Sequence, residues 1–355
     1  MNIELIGKPK IIISNPDSKH NYFAWPSAAE LQNGRIAVTC SGFRLEHICP
    51  FGKACISYSD DNGETYTPPT PVIDTPLDDR DTGITPFGEN GIIVTSFNNT
   101  REFQRGCNPD NKYITGYLDT VSDEDENKYL GSEFRISLDG CKTFGDIFKS
   151  PITSPHGPIQ LQDGTILWVG RIFNEQDSFS VGKQGVQCYK VNIDGTMDFV
   201  GEIPDIDGLH SCEPYAFECA DGTLICHIRI EPTFTTYQSE SHDSGKTWTV
   251  PHRLLPDHGG APAHIIEHSS GTLISVYGYR ELPYGIRVMF STDNGKTWNT
   301  DHIIYENNIS DDLGYPATVE LEDGSLLTVF YAHPEENTPA VIMQQKWKFE
   351  SRIVK

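Results

Sequence analysis

Arginine is scarce in this chain, and its placement is informative. Lys and Arg total 27 against 50 Asp and Glu, a formal charge of −23. Yet Arg44, Arg171, Arg229 and Arg280 each close an apolar run rich in β-branched residues, and Arg101 follows another such run by a few residues. A guanidinium fork holds a carboxylate through paired N–H donors, so arginines gathered at one place would line an anion-binding funnel. The 12 histidines are the other reactive group. His156 and His264 precede apolar runs, while His47, His210, His258 and His333 fall in loop-like stretches. No HxH or HExxH spacing occurs, and the nine cysteines contain no CxxC pair, so neither a metal nor another cofactor is expected. The acidic run at 123–127 reads as a solvated loop rather than a calcium site.

The elements that would position these side chains repeat. An apolar run, a turn ending in Gly and a second apolar run recur around Gly34, Gly91, Gly164, Gly222, Gly271 and Gly324. Asn-Gly, Asp-Gly or Ser-Gly between β-branched and aromatic runs is a hairpin signal. Each interval leaves room for two further strands, so the pattern predicts an all-β, six-bladed propeller of four-stranded antiparallel blades. All 355 residues are expected to form that one domain, with residues near 5–13 pairing beside 340–350 to close the ring.

In an antiparallel hairpin, the start of the first strand and the end of the second share one edge. Counting back equally from each turn puts Trp25, Thr82, Pro155, Glu213, Pro262 and Tyr315 at that edge. Arg44, Arg171, Arg229, Arg280 and the pair Tyr331 and His333 follow the second strands there. Acidity of this degree is unsuited to holding a nucleic-acid backbone or an anionic membrane. No run of 18 apolar residues exists, and the N-terminus lacks the pattern of a secretory signal, so a cytoplasmic location is expected.

A second repeat lies between the hairpins. Ser59-x-Asp61-x-Gly63-x-Thr65-Tyr66 matches the stretches beginning at Ser241 and Ser291, each of which ends in Trp. A fourth copy, from Ser137 to Phe144, carries Cys141 in the glycine position. Ser and Asp that cap backbone amides, beside a Gly at positive φ, describe a turn. This pattern resembles the Asp-box of the sialidase (BNR-repeat) superfamily, and the resemblance runs the length of the chain.

That resemblance implies an exo-acting, retaining glycoside hydrolase whose partner is a carbohydrate with a terminal, acidic sugar. The stretch 212–229 is similar to the segment carrying the family's catalytic glutamate and an arginine, which implies Glu213 as base and Arg229 as carboxylate ligand. The stretch 315–324 is similar to the segment that opens with the nucleophilic tyrosine, which implies Tyr315. Glu46 and Asp81 are the candidates for the acid. Arg44, Arg171, Arg280, Trp25, His156, His264 and Tyr331 are expected to contact substrate. Two departures are visible: Ala24 stands where the family has its first arginine, and the loop after the first hairpin has no aspartate matching the family's acid. The alternatives are an arabinanase- or rhamnosidase-like propeller, a uronate lyase, or a glycan-binding propeller without activity.

Overall fold

The computed structural model describes residues 1–350 apart from 33, 175–184, 258, 261 and 337; His258 therefore lies outside the described residues. Six antiparallel sheets follow one another along the chain. Their inner strands are Tyr22–Glu30, Ile84–Phe87, the interrupted pair Ile152–Thr153 and Ile159–Gln160, His210–Glu218, Ala263–Glu267 and Gly314–Glu320. Neighbouring inner strands touch around the ring, the third sheet meeting the fourth inner strand through its own strand Ile166–Ile172, and the sixth inner strand contacts the first, so the sheets close into a propeller. Blades are numbered below by these inner strands.

The termini make that closure. Asn2–Ile13 pairs antiparallel with Val341–Glu350 and becomes the outermost strand of blade 6. The second and third strands of blade 6 thus precede in space a strand from the other end of the chain.

Local chemistry explains the turns. In five hairpins the amide of the turn glycine donates to the carbonyl three residues back, as Gly222 does to Cys219 at 2.8 Å. The glycine there has φ of 74° to 87°, a conformation that costs an L side chain about 1–2 kcal/mol. The Ser-x-Asp repeats lie on the opposite face, between third and fourth strands. Ser59 Oγ accepts the Gly63 amide at 2.8 Å, and Asp61 accepts both the amide and the hydroxyl of Thr65, at 2.8 and 2.6 Å. Cys141 holds the glycine position of its copy at φ 67°.

Apolar faces meet between neighbouring blades. One cluster joins Trp347, Phe290 and Phe330 between blades 5 and 6, and another joins Trp168 and Phe134 between blades 2 and 3. The longest interval between hairpins carries three short helices, Arg101–Cys107 (α1), Lys112–Leu118 (α2) and Asp123–Tyr129 (α3). The acidic run expected as a loop is thus helical. Ser122 caps its N-terminus, where the carboxylates complement the helix dipole. Ile114 and Leu118 pack on Cys49 and Phe51, so the insertion braces the loop that follows the blade-1 hairpin.

Candidate active site

Four blades carry the same irregularity at the edge opposite the Ser-x-Asp turns. The pairing of Ala24 and Ser27 with Ser41 and Thr39 leaves one extra residue on the inner strand. The same happens between Cys212 and Tyr215, and between Gly314 and Ala317. In blade 2 the bridge from Arg80 to Phe97, followed by the pairing of Ile84 with Val94, does likewise. A bulge of this kind re-aims a side chain. Trp25, Asp81, Glu213 and Tyr315 occupy the four bulges with φ of 51°, 44°, 46° and 48°. Asp81, rather than its neighbour Thr82, therefore holds the edge position in blade 2. Three of the four precede a proline, Pro26, Pro214 and Pro316, whose missing N–H suits a place where the ladder is interrupted.

These bulges bring Glu213 and Tyr315 together. The Tyr315 hydroxyl donates to Glu213 Oε1, and Arg229 Nη1 donates to Glu213 Oε2 at 2.6 Å. Arg229 Nη2 donates to Glu231, two residues along and on the same face of the strand. Phe234 lies under both guanidiniums of this side, 4.7 Å from that of Arg229 and 5.8 Å from that of Arg280. Burial raises the Tyr315 phenol well above its ordinary value, and the Glu213 and Asp81 carboxylates push the same way. Burial works most strongly against the charge of Arg229, but Glu213 together with Cys212, Tyr315 and Glu231 outweighs it and holds the guanidinium well above its ordinary value.

A cavity of about 60 Å³ is lined by Arg80, Asp81, Arg171, Glu213 and Tyr315, with Phe97 and the stretch 153–155 as walls. A larger cavity of about 510 Å³ runs along the propeller axis and opens on the other face. Its mouth is ringed by Glu30, Glu218, Glu267 and Glu320, and it holds neither Glu213 nor Tyr315. Among the described residues, no group of three or more His, Cys, Asp or Glu is placed to hold a metal.

The remaining expected site residues divide. Arg171 and Asp81 line the small cavity; Glu46 is exposed on its loop and does not. Arg44 is turned away. Fully buried, it pairs with Asp78 at 2.5 Å and donates to Ser41 Oγ and the His47 carbonyl. Burial without a partner would be costly for any guanidinium, and the aspartates of the 78–81 segment supply the partner. Trp25 is 1% exposed and offers no stacking face. Its ring contacts two guanidiniums, Arg44 at 4.8 Å and Arg80 at 4.4 Å. Arg101 is drawn into the helical insertion by Asp123 and Glu126.

His156 and His264 sit below the cavity, buried against each other at 5.0 Å between ring centres. His264 lines the axial channel instead, and burial lowers it to about 3, so it is neutral. Tyr331 lies behind Tyr315 at 5.9 Å, with its hydroxyl on Asp312 at 2.8 Å and the Arg280 guanidinium 3.5 Å away. Asp312 also accepts from Tyr22 at 2.7 Å and pairs with His333 at 3.1 Å.

Arg80, Glu231, Phe234, Asp78 and Asp312 were not singled out by sequence. Glu231 was within reach, since alternate residues of a strand share a face with Arg229. The others depend on loop paths.

Residues 147–328 match the family described as BNR repeat-like domain. Against curated proteins the sequence finds no match. Among solved structures, a protein of unknown function from Dyadobacter fermentans superposes with a TM-score of 0.80 at 18% identity, covering 98% of this chain and 99% of that one. The NanB sialidase of Streptococcus pneumoniae gives 0.67 at 14% identity, over 95% of this chain and 70% of its own. A Trypanosoma rangeli sialidase gives 0.63 at 16% identity over 92% of this chain, which spans only 55% of that protein. At these identities the likeness is one of fold.

Proposed function

The chain belongs to the BNR repeat-like family, and from that premise we propose that it is a glycoside hydrolase, exo-acting on a terminal acidic sugar with retention of configuration. The observation that carries this reading is the part-buried chain Tyr315–Glu213–Arg229, in which a phenol meets a carboxylate that is itself held by a guanidinium. A phenol near pKa 10 attacks carbon poorly at neutral pH, and Glu213 is placed to take its proton as it does so. Tyr315 Oη bonds to the anomeric carbon while the bond to the glycosidic oxygen breaks. Asp81, which lines the same cavity, gives its proton to that oxygen. In the second half Asp81 takes a proton from water, whose oxygen replaces Tyr315, and the phenolate recovers its proton from Glu213. Arg171 and Arg280 orient the substrate. Sialidase-fold neighbours support this chemistry by analogy of fold.

The test is covalent trapping. A fluorinated glycosyl fluoride that forms the adduct quickly and loses it slowly should add one sugar to the intact protein, and peptide mapping should place it on Tyr315. Turnover without an adduct, or an adduct elsewhere, refutes the assignment.

A further inference from the structure

We infer that the cavity along the propeller axis is a second binding site, for a small organic cation. Its ligand is an amine that leaves the ammonium among Glu30, Glu218, Glu267 and Glu320 and carries a hydrogen-bond-accepting oxygen at its buried end. This cavity is separate from the one that holds Tyr315, and its occupancy is independent of the hydrolase chemistry.

The repeat builds the acidic ring. The residue four before each turn glycine ends the inner strand, and in blade order it is Glu30, Phe87, Gln160, Glu218, Glu267 and Glu320. Radial repetition turns one position per blade into a ring about the axis. Two of its carboxylates are engaged: Glu218 accepts the Gln162 amide at 2.6 Å, and Glu320 accepts the Ser269 amide at 2.7 Å. Glu30 and Glu267 have no hydrogen-bond or ion-pair partner among the described residues, and no Lys or Arg lines the cavity. Burial first, and then the charges of Glu322 and Glu320, raise the Glu30 carboxyl. A cation at the ring would relieve the second cause.

The walls and the spacing favour an organic cation over a metal ion. A volume of about 510 Å³ falls among small-molecule sites of roughly 300–1,000 Å³. Ile84, Pro158, Ile265 and Val319 give it apolar surface that an ion alone would not use. Among the described residues, no three His, Cys, Asp or Glu converge closely enough for a metal.

His264 supplies a donor at the inner end. It lies three residues before Glu267 on the same strand, roughly 10 Å deeper along it. It is 5% exposed and lines the cavity. Its Nδ1 accepts the Thr318 amide at 3.4 Å, so Nε2 carries the proton. That N–H has no partner among the described residues and is not sealed by protein, whereas Nε2 of the neighbouring His156 is sealed. Tyr215 stacks on the imidazole at 4.7 Å between ring centres. A donor left open in a buried wall calls for an acceptor, hence the oxygen on the ligand.

Aminohexanol, hexylamine and hexanol, titrated into the full chain by calorimetry and saturation-transfer NMR, test this. Aminohexanol should bind saturably and roughly 10- to 150-fold more tightly than hexanol, the range of charged hydrogen bonds, with hexylamine between them. Glu30→Gln with Glu267→Gln, both exposed, should bring aminohexanol close to hexanol and leave hexanol unchanged. His264→Phe should erase the advantage of aminohexanol over hexylamine, with its fold checked by circular dichroism. Equal affinity of the wild type for hexanol and hexylamine overturns the inference, as does displacement of aminohexanol by millimolar calcium. Absence of saturable binding by all three probes overturns it too.

Discussion

The pairing of Tyr315 with Glu213 predicts the outcome of a double-mutant cycle. With an ordinary pKa near 10, about one phenol in a thousand is ionised at pH 7. Burial and two carboxylates make that fraction smaller still. Removing the base should therefore cost at least the usual share of general base catalysis, roughly 100- to 10,000-fold. Glu213→Gln keeps the shape and the Tyr315 contact but takes no proton, so kcat should fall by about 1,000-fold or more. Tyr315→Phe removes the nucleophile and should fall at least as far. Each change is worth about 4 kcal/mol or more at 1.36 kcal/mol per factor of ten. Independent groups would give a double mutant at least ~10⁶-fold slower. A pair that acts as one unit gives a double mutant close to the worse single variant, a coupling of about 4 kcal/mol. Steady-state rates on an aryl glycoside of the preferred sugar measure it. Additive losses, or Tyr315→Phe within tenfold of wild type, would refute the covalent reasoning.

Three further outcomes follow from the same geometry. Arg44→Met leaves Asp78 buried without its partner and should cost roughly 3–5 kcal/mol in urea unfolding; Arg44→Met with Asp78→Asn should recover part of the loss, and a raised KM at intact stability would return Arg44 to the substrate. Cys141→Gly relieves a side chain at φ 67° and should stabilise the protein by about 1 kcal/mol, detectable as a higher midpoint in the same assay. The Thr143 and Thr247 hydroxyls and amides hold Asp139 and Asp243 down to about 2. Such depressed carboxylates stabilise the fold above their unfolded value near 4 and lose that contribution as pH falls through about 2. Asp139→Asn with Asp243→Asn should flatten the acid limb of a stability profile, and an unchanged slope would refute the assignment.

The propeller was legible because its signals are local. A glycine forced to positive φ between two β-branched runs specifies a hairpin within about a dozen residues, and six copies leave few alternatives. Closure by the termini was legible for the same reason, since both ends carry β-rich runs with no partner nearer in sequence. The helical insertion was not. Its three helices have seven residues each, too few for a clear 3.6-residue period, and their faces are set by packing on Phe51 and Cys49. The arginines show the limit most plainly. Position at the end of a second strand placed all of them at the correct edge, but orientation followed from partners. Asp78, 34 residues from Arg44, took Arg44 inward, and nothing in the Arg44 stretch announces it.

What unites the site is a bulge rather than a motif. Residues in left-handed space cost about 1–2 kcal/mol each, so four of them together cost an amount comparable to the whole stability of many domains. Such strain persists only where the surroundings impose it, and it collects at functional positions. Here it is repeated by blade: the same extra residue turns Asp81, Glu213 and Tyr315 toward one cavity from three directions. Trp25 bears the same strain without an ionisable group. Its indole lies against both Arg44, which pairs with Asp78, and Arg80, which lines the cavity. Blade 1 thus contributes to the site by shape, and the charges that read a ligand come from the blades beside and across from it.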